Sequence, residues 1–217
     1  SLEGVPDTHA RPRDPRRPVV CVDEGGKQRI GGVRPPLPVR PGSPAKEDCE
    51  YARGGVANLF LAFEPPAGRR HVRATERRAA EDSARFLRAA SGDLYSKAER
   101  VVLVSGNLNT HTPAAPYEAF EPAEAGRPAG RFEWHDTPKH GSWPNVAEVE
   151  LSALARRCLD RRIPDSDTLK REVAAWEKGR NAAVVRVGWP STADDARVTL
   201  KKLYPTIELE RTTSAAS

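Results

Sequence analysis

Apolar positions gather into short runs separated by polar, proline-rich stretches. Pro18-Val-Val-Cys-Val-Asp23 is apolar throughout and closes on an acid, which predicts a buried strand. Residues 56–63 predict a second strand and residues 70–75 a third, joined as a hairpin by the turn Pro65-Pro-Ala-Gly68. Thr75 is the expected cap of a helix that carries Ala80, Ala84, Leu87 and Ala90 on one face. Residues 100–104 read as another apolar strand, and residues 131–135 as one more after a short helix from about Pro113. Helical spacing returns at Ala147, Leu151, Leu154, Ala155 and Cys158, and further helices are expected over residues 168–178 and 193–203. Three strands, a helix, then alternating strand and helix describe a mixed α/β sheet covered by helices.

Between these elements the chain is strongly punctuated. Arg11, Arg13, Arg16 and Arg17 stand among Pro6, Pro12 and Pro15 without apolar periodicity, so residues 1–17 read as a flexible Pro/Arg-rich tail. Five prolines between residues 34 and 44 exclude a helix or ladder strand and demand an extended loop. Methionine is absent and the chain starts at Ser1, which suggests a piece of a longer reading frame.

Charge narrows the classes. Thirty-five lysines and arginines against 30 acids leave a net charge of +5, a balance that suits a polyanion and equally suits a solvated basic face. The longest mainly apolar stretch, residues 56–63, is broken by Asn58 and falls far short of the roughly 18 to 20 residues of a membrane helix. No membrane partner is expected. Cys21, Cys49 and Cys158 are odd in number and widely spaced, with neither a disulfide ladder nor a zinc pattern, so a reducing cytoplasm fits best.

Candidate chemistry sits at strand ends, where open α/β sheets place their sites. Asp23 follows the first strand, Gly106 the fourth, and Glu148 lies in the first turn of a helix. An acid at a strand end and an acid on a helix can hold a hard divalent cation through oxygen. The blander alternative is that Asp23 caps a turn and Glu148 favours the positive end of its helix.

Three blocks carry a resemblance: Val19-Val-Cys-Val-Asp-Glu24, Val101-Val-Leu-Val-Ser-Gly-Asn-Leu-Asn-Thr-His111 and Thr137-Pro-Lys-His-Gly-Ser-Trp-Pro-Asn-Val-Ala-Glu148. With Ala57-Asn-Leu-Phe60, Cys158-Leu-Asp-Arg-Arg-Ile-Pro164 and Leu203-Tyr-Pro205, they resemble the catalytic domain of bacterial DDE transposases of the insertion-sequence six-thirty family, relatives of the mariner elements. The resemblance implies an RNase H-like five-stranded mixed sheet flanked by helices. It divides the chain into a catalytic core over residues 18–163 and a C-terminal helical extension and tail over residues 164–217. It also implies Mg2+-dependent DNA cleavage and strand transfer, with Asp23 as the first metal-binding acid and Glu148 as the third. The second acid belongs directly before Asn-Leu-Asn-Thr-His, where this chain has Gly106. Glycine has no side-chain oxygen, so the resemblance implies a retained fold with catalysis weakened or lost. Gly25 and Gly26 in place of a Lys-Pro pair, and Pro144 in place of a leucine, are further departures from the family pattern.

The partner implied is DNA, at transposon ends and through its phosphate backbone, with a homodimer as one form of assembly and a bacterial, nucleoid-associated location. Arg69, Arg70, Arg156 and Arg157 are candidate phosphate contacts, His111 and His140 in the loops beside the acids are candidates for a phosphate contact or a proton relay, and Trp143 is a candidate to stack on a base. Each has an ordinary alternative: a solvated arginine, a histidine fixing its loop, a tryptophan packed under a helix. A rival reading is a non-catalytic DNA-binding or assembly protein that keeps the transposase fold, and a third is a gene remnant without a role.

Overall fold

Strand β1 spans Val19–Gly32, and its two halves have different neighbours. Along Val19 to Val22 it lies parallel to β4, Val101–Ser105, while on its other edge it runs antiparallel to β2, Tyr51–Glu64, from Cys21 to Gly32. The computed structural model describes residues 13–34, 40–44, 50–76, 80–106, 130–136 and 146–187. Strand β3, Arg69–Thr75, pairs antiparallel with β2, and β5, Phe132–Asp136, lies parallel to β4. The sheet order is β3-β2-β1-β4-β5, an antiparallel half and a parallel half sharing β1.

The expected hairpin is present. Pro65–Ala67 form one 3-10 turn and Gly68 closes it at φ 64°, a left-handed conformation that a glycine adopts without steric cost. A Cβ there would come within 2.9 Å of the Val184 backbone, so the position also demands the smallest residue.

Alternation along the strands sorts the core into two layers. Cys21, Leu59, Leu61, Phe63, Val72 and Val104 face helices α2, Val146–Arg157, and α3, Ser166–Ala182. Val20, Val22, Phe60, Ala62 and Leu103 face the other way, onto Phe86 and Leu87 of α1, Ala80–Ala89. Covered on both sides, Val101 to Ser105 is buried along its whole length, as a strand in the parallel part of a sheet should be. Helix α3 is capped by Asp165, whose carboxylate accepts from the Thr168 N–H at 2.7 Å.

Several expectations are corrected. β1 does not stop at Asp23: the ladder with β2 carries it nine residues further, through a polar and glycine-containing stretch. Thr75 is the last residue of β3, and the described part of α1 begins at Ala80. Ala155 is exposed, although Leu154 beside it is fully buried. Residues 13–17 are held down rather than loose. Arg13 pairs with Glu64 at 3.1 Å, Arg16 with Glu99, and Arg17 with Glu133, so one short segment is tied to β2, to the approach to β4 and to β5. The Arg16 carbonyl also accepts from the N–H groups of Glu99 and Arg100. Helix α3, assigned from sequence to an extension, contributes Leu169 and Val173 to the same core as β1 and β2. The helices expected from about Pro113 and over residues 193–203 lie outside the described residues.

Candidate functional site

Asp23 occupies the point where β1 changes partners. The last residue of its parallel ladder is Val22, paired with Ser105, so the register carried on by one residue sets Asp23 beside Gly106. Asp23 is buried, and its Oδ1 accepts from the Glu24 N–H at 2.8 Å. By alternation it shares a face with Cys21 and Gly25, and both of these touch α2. The Cys21 thiol meets the Val146 N–H, and a Cβ on Gly25 would lie 3.7 Å from Leu151 Cδ1. Asp23 therefore stands between two contacts with α2, on the sheet face this helix covers. Glu148 projects from the first turn of that helix and is exposed. The approach at Gly25 is an ordinary van der Waals distance, so a Cβ at residue 25 would pack against Leu151 without displacing it.

Burial pushes the Cys21 thiol up to about 12, with the Val146 N–H pulling weakly against it and the nearby Asp23 charge adding to the rise. The thiol is thus a neutral, apolar floor beside Asp23, not a nucleophile.

At the three places where the sequence resemblance implies metal-binding carboxylates, this chain has Asp23, Gly106 and Glu148, two carboxylates and a residue without a side-chain oxygen. Among the described residues no group of three His, Cys, Asp or Glu side chains is placed to hold a metal ion. The residues present do not fit the complete Mg2+ site.

The arginines divide sharply. Arg70 was a candidate phosphate contact, and the structure buries it completely. Its Nε lies 3.0 Å from Glu150 Oε2, its guanidinium donates to the carbonyls of Gly68 and Val185 at 3.1 and 2.6 Å, and it stacks over Phe63 at 4.7 Å. Arg180 grips the same Glu150 with two bonds, at 3.1 and 2.6 Å. Arg70 is a core residue and is not available to DNA. The reason is strand parity, since it shares the buried face of β3 with Val72 and Ala74, while Arg69 and Arg73 point outward. Arg69 is exposed, its guanidinium 5.7 Å from the Tyr95 ring centroid. Arg156 and Arg157 are exposed in the last turn of α2. His111, His140 and Trp143 lie outside the described residues.

Sequence reasoning missed Glu150. A signal existed, because Val146, Glu150 and Leu154 recur every four residues, which puts a carboxylate in the buried stripe of α2. Asn181 and Glu177, which reach β3 from α3, carried no comparable signal.

The fold and these positions can now be set against known proteins. No curated protein matches the sequence. Among solved structures, the chain is similar to that described as the Mos1 strand transfer complex, at 14% identity and a TM-score of 0.50, over 93% of this chain and 57% of that one. It is likewise similar to the Mos1 transposase paired-end complex with left transposon end, at 17% identity and a TM-score of 0.50, over 85% of this chain and 55% of that one. The chain thus spans less than three-fifths of the length of either relative, and the likeness is one of fold: an RNase H-like mixed sheet flanked by helices. The family model described as DDE superfamily endonuclease matches residues 18–170, from the start of β1 into α3. The chain belongs to the DDE superfamily endonucleases.

Proposed function

We propose that this chain is a transposase core of the insertion-sequence six-thirty lineage that engages DNA but no longer cuts it efficiently. The observation that carries the proposal is the β1–β4 register, whose last pair, Val22 with Ser105, makes Asp23 and Gly106 the next residues on the two strands, on the side of the sheet covered by the helix bearing Glu148. In the family, carboxylates at these places hold divalent metal, whose charge assists the attacking and leaving oxygens of phosphodiester exchange. Here Asp23 and Glu148 would supply two of the three ligands. The missing one would contribute both an oxygen and a negative charge, and a neutral neighbour replaces neither.

Support for DNA as the partner comes from the basic balance of the chain and from the exposed arginines, Arg69, Arg156 and Arg157 among them. The solved relatives are described as a strand transfer complex and a paired-end complex with a transposon end, which makes transposon-end DNA the first substrate to try. The rival, a DNA-binding or assembly protein without catalysis, shares this surface and differs only at the acids.

Plasmid nicking in Mg2+ and Mn2+, run beside DNA binding in a mobility-shift assay, separates these readings. Binding without nicking is expected. Metal-dependent nicking that disappears in Asp23→Asn would overturn the claim of a disabled site. Absence of DNA binding would overturn the functional reading itself.

A further inference from the structure

Most described arginines are spent inside the molecule. Arg13, Arg16 and Arg17 hold the N-terminal segment, Arg70 and Arg180 hold Glu150, and Arg131 donates to the carbonyls of Ser91, Tyr95 and Ala98. Arg156 and Arg157 are different. Both are exposed, and among the described residues the one polar contact of Arg156 is with the Ser152 carbonyl of its own helix, at 3.3 Å. They line a cleft of about 370 Å³ between the last turn of α2 and the middle of α3. Cys158, Asp160, Arg161, Glu172, Ala175 and Trp176 complete its wall.

The wall is ordered by contacts of its own. Arg161 is paired with Glu172, the Cys158 thiol donates to the Glu172 carbonyl at 3.6 Å, and the Arg180 guanidinium lies 5.2 Å from the Trp176 ring centroid. Glu172 is thereby neutralised by Arg161, which leaves the two guanidiniums of Arg156 and Arg157 against the one carboxylate of Asp160, so the opening keeps a net positive charge. Two adjacent guanidiniums at the negative end of a helix are stabilised there, and as forked donors they match the geometry of a phosphodiester.

From this geometry we infer that the α2–α3 cleft is a backbone-phosphate site for DNA, with Arg156 and Arg157 as the contacting residues. The inference deepens the proposed function and rests on it. It also fixes a distance. Arg156 follows Glu148 by eight residues on one helix, about 12 Å along the axis at 1.5 Å per residue. The cleft would position the duplex and take no part in base reading.

The test measures affinity for a fluorescently labelled 20-base-pair duplex against sodium chloride concentration, for the unmodified chain and two double variants. Arg156→Ala with Arg157→Ala removes the proposed contacts. Arg73→Ala with Arg85→Ala removes the same charge from exposed positions on β3 and α1. Two lost phosphate contacts should reduce the slope of log affinity against log salt by about 1.8, at about 0.9 per contact. The control pair should leave the slope nearly unchanged. A second readout is Trp176 emission, which duplex DNA should quench in the unmodified chain and not in Trp176→Phe.

Binding with equal slopes in both double variants would overturn the cleft while leaving the proposed function intact. No binding by the unmodified chain would overturn both. Quenching by inorganic phosphate at concentrations where duplex has no effect would make this a free-anion site and overturn the DNA assignment.

Discussion

The side-chain amide of Asn181 closes a two-way clasp on the backbone of Arg70, accepting from its N–H at 2.9 Å and donating to its carbonyl at 2.8 Å. One turn earlier on α3, Glu177 accepts from the Val72 N–H at 2.8 Å. β3 is an outer strand of the sheet, and these two side chains occupy hydrogen-bonding groups that another strand would otherwise claim. Asn181→Ala should cost about 1–3 kcal/mol, because a partly buried amide and carbonyl lose their partner together. Urea unfolding gives the cost, and a rise in β-rich association on storage would show the uncovered edge. An unchanged midpoint would mean that solvent replaces the clasp freely.

Glu150 should prove the least replaceable acid in the fold. It is 1% exposed and lies between two guanidiniums, so Glu150→Ala strands Arg70 as a buried, uncompensated charge. Breaking one side of such a pair costs about 3–5 kcal/mol, whereas replacing both sides by apolar groups costs less or nothing. Arg70→Met combined with Glu150→Leu should therefore recover much of the loss seen in Glu150→Ala. A double-mutant cycle by chemical unfolding reads the coupling, and strict additivity would contradict this account.

Restoring an acid at position 106 should exchange stability for metal affinity. Carboxylates on neighbouring strands about 5 Å apart repel by about 3 kcal/mol at an effective dielectric near 20, before relaxation and proton uptake. Removing a glycine returns about 0.5 to 1 kcal/mol through the unfolded chain. Gly106→Asp should thus melt lower than the unmodified chain in chelator and gain more from Mn2+ or Mg2+, since the ions bind the folded carboxylates. Thermal melts of both proteins with and without divalent metal decide the matter. Equal metal responses would show that residue 106 is not the vacant ligand position.

Alkaline pH should weaken the fold partly through Cys21. The folded thiol keeps its proton up to about 12, while the unfolded one releases it above its ordinary value of 9.0. Between those values the unfolded state binds fewer protons, so stability falls as pH rises, by up to about 1.4 kcal/mol per pH unit. The buried Tyr95 hydroxyl, also pushed up by burial, adds to the loss above its ordinary value of 10.0. In Cys21→Ala the decline should be visibly shallower between pH 9 and 10 and slightly so between pH 8 and 9, with the two slopes converging below pH 8. Urea midpoints at pH 8, 9 and 10 make the comparison.

β4 was legible in sequence because burial on both faces dictates its continuous apolar run, and β5, where Phe132 and Trp134 alternate with polar residues, was legible from that alternation; both appear within one residue of where the pattern puts them. The outer half of β1 was not, because Gly25, Gly26 and Lys27 have no strand propensity of their own and are held by register with Ala57 to Leu59. Arg70 could have been read by parity, since Arg70, Val72 and Ala74 alternate with Arg69, His71 and Arg73. Taking the neighbours Arg69 and Arg70 together as phosphate contacts concealed that alternation. The placement of Asp23 beside Gly106 depended on register between strands some 80 residues apart, which the spacing within each block does not encode.

The arginine segment at residues 13–17 gives ionic strength a second target. Two of its three ion pairs, Arg16 with Glu99 and Arg17 with Glu133, join exposed or partly exposed groups, and such pairs fade as salt shortens the Debye length to about 3 Å at 1 M, while Arg13 reaches a buried carboxylate on Glu64. A salt titration of this protein therefore acts at both poles of the sheet at once, thinning the ionic atmosphere around any bound duplex and slackening the belt that gathers β2, β4 and β5. Low-salt preparations should be the tautest form of the molecule, and high-salt ones should fray first at Glu99, whose partner Arg16 is the most exposed of the three arginines.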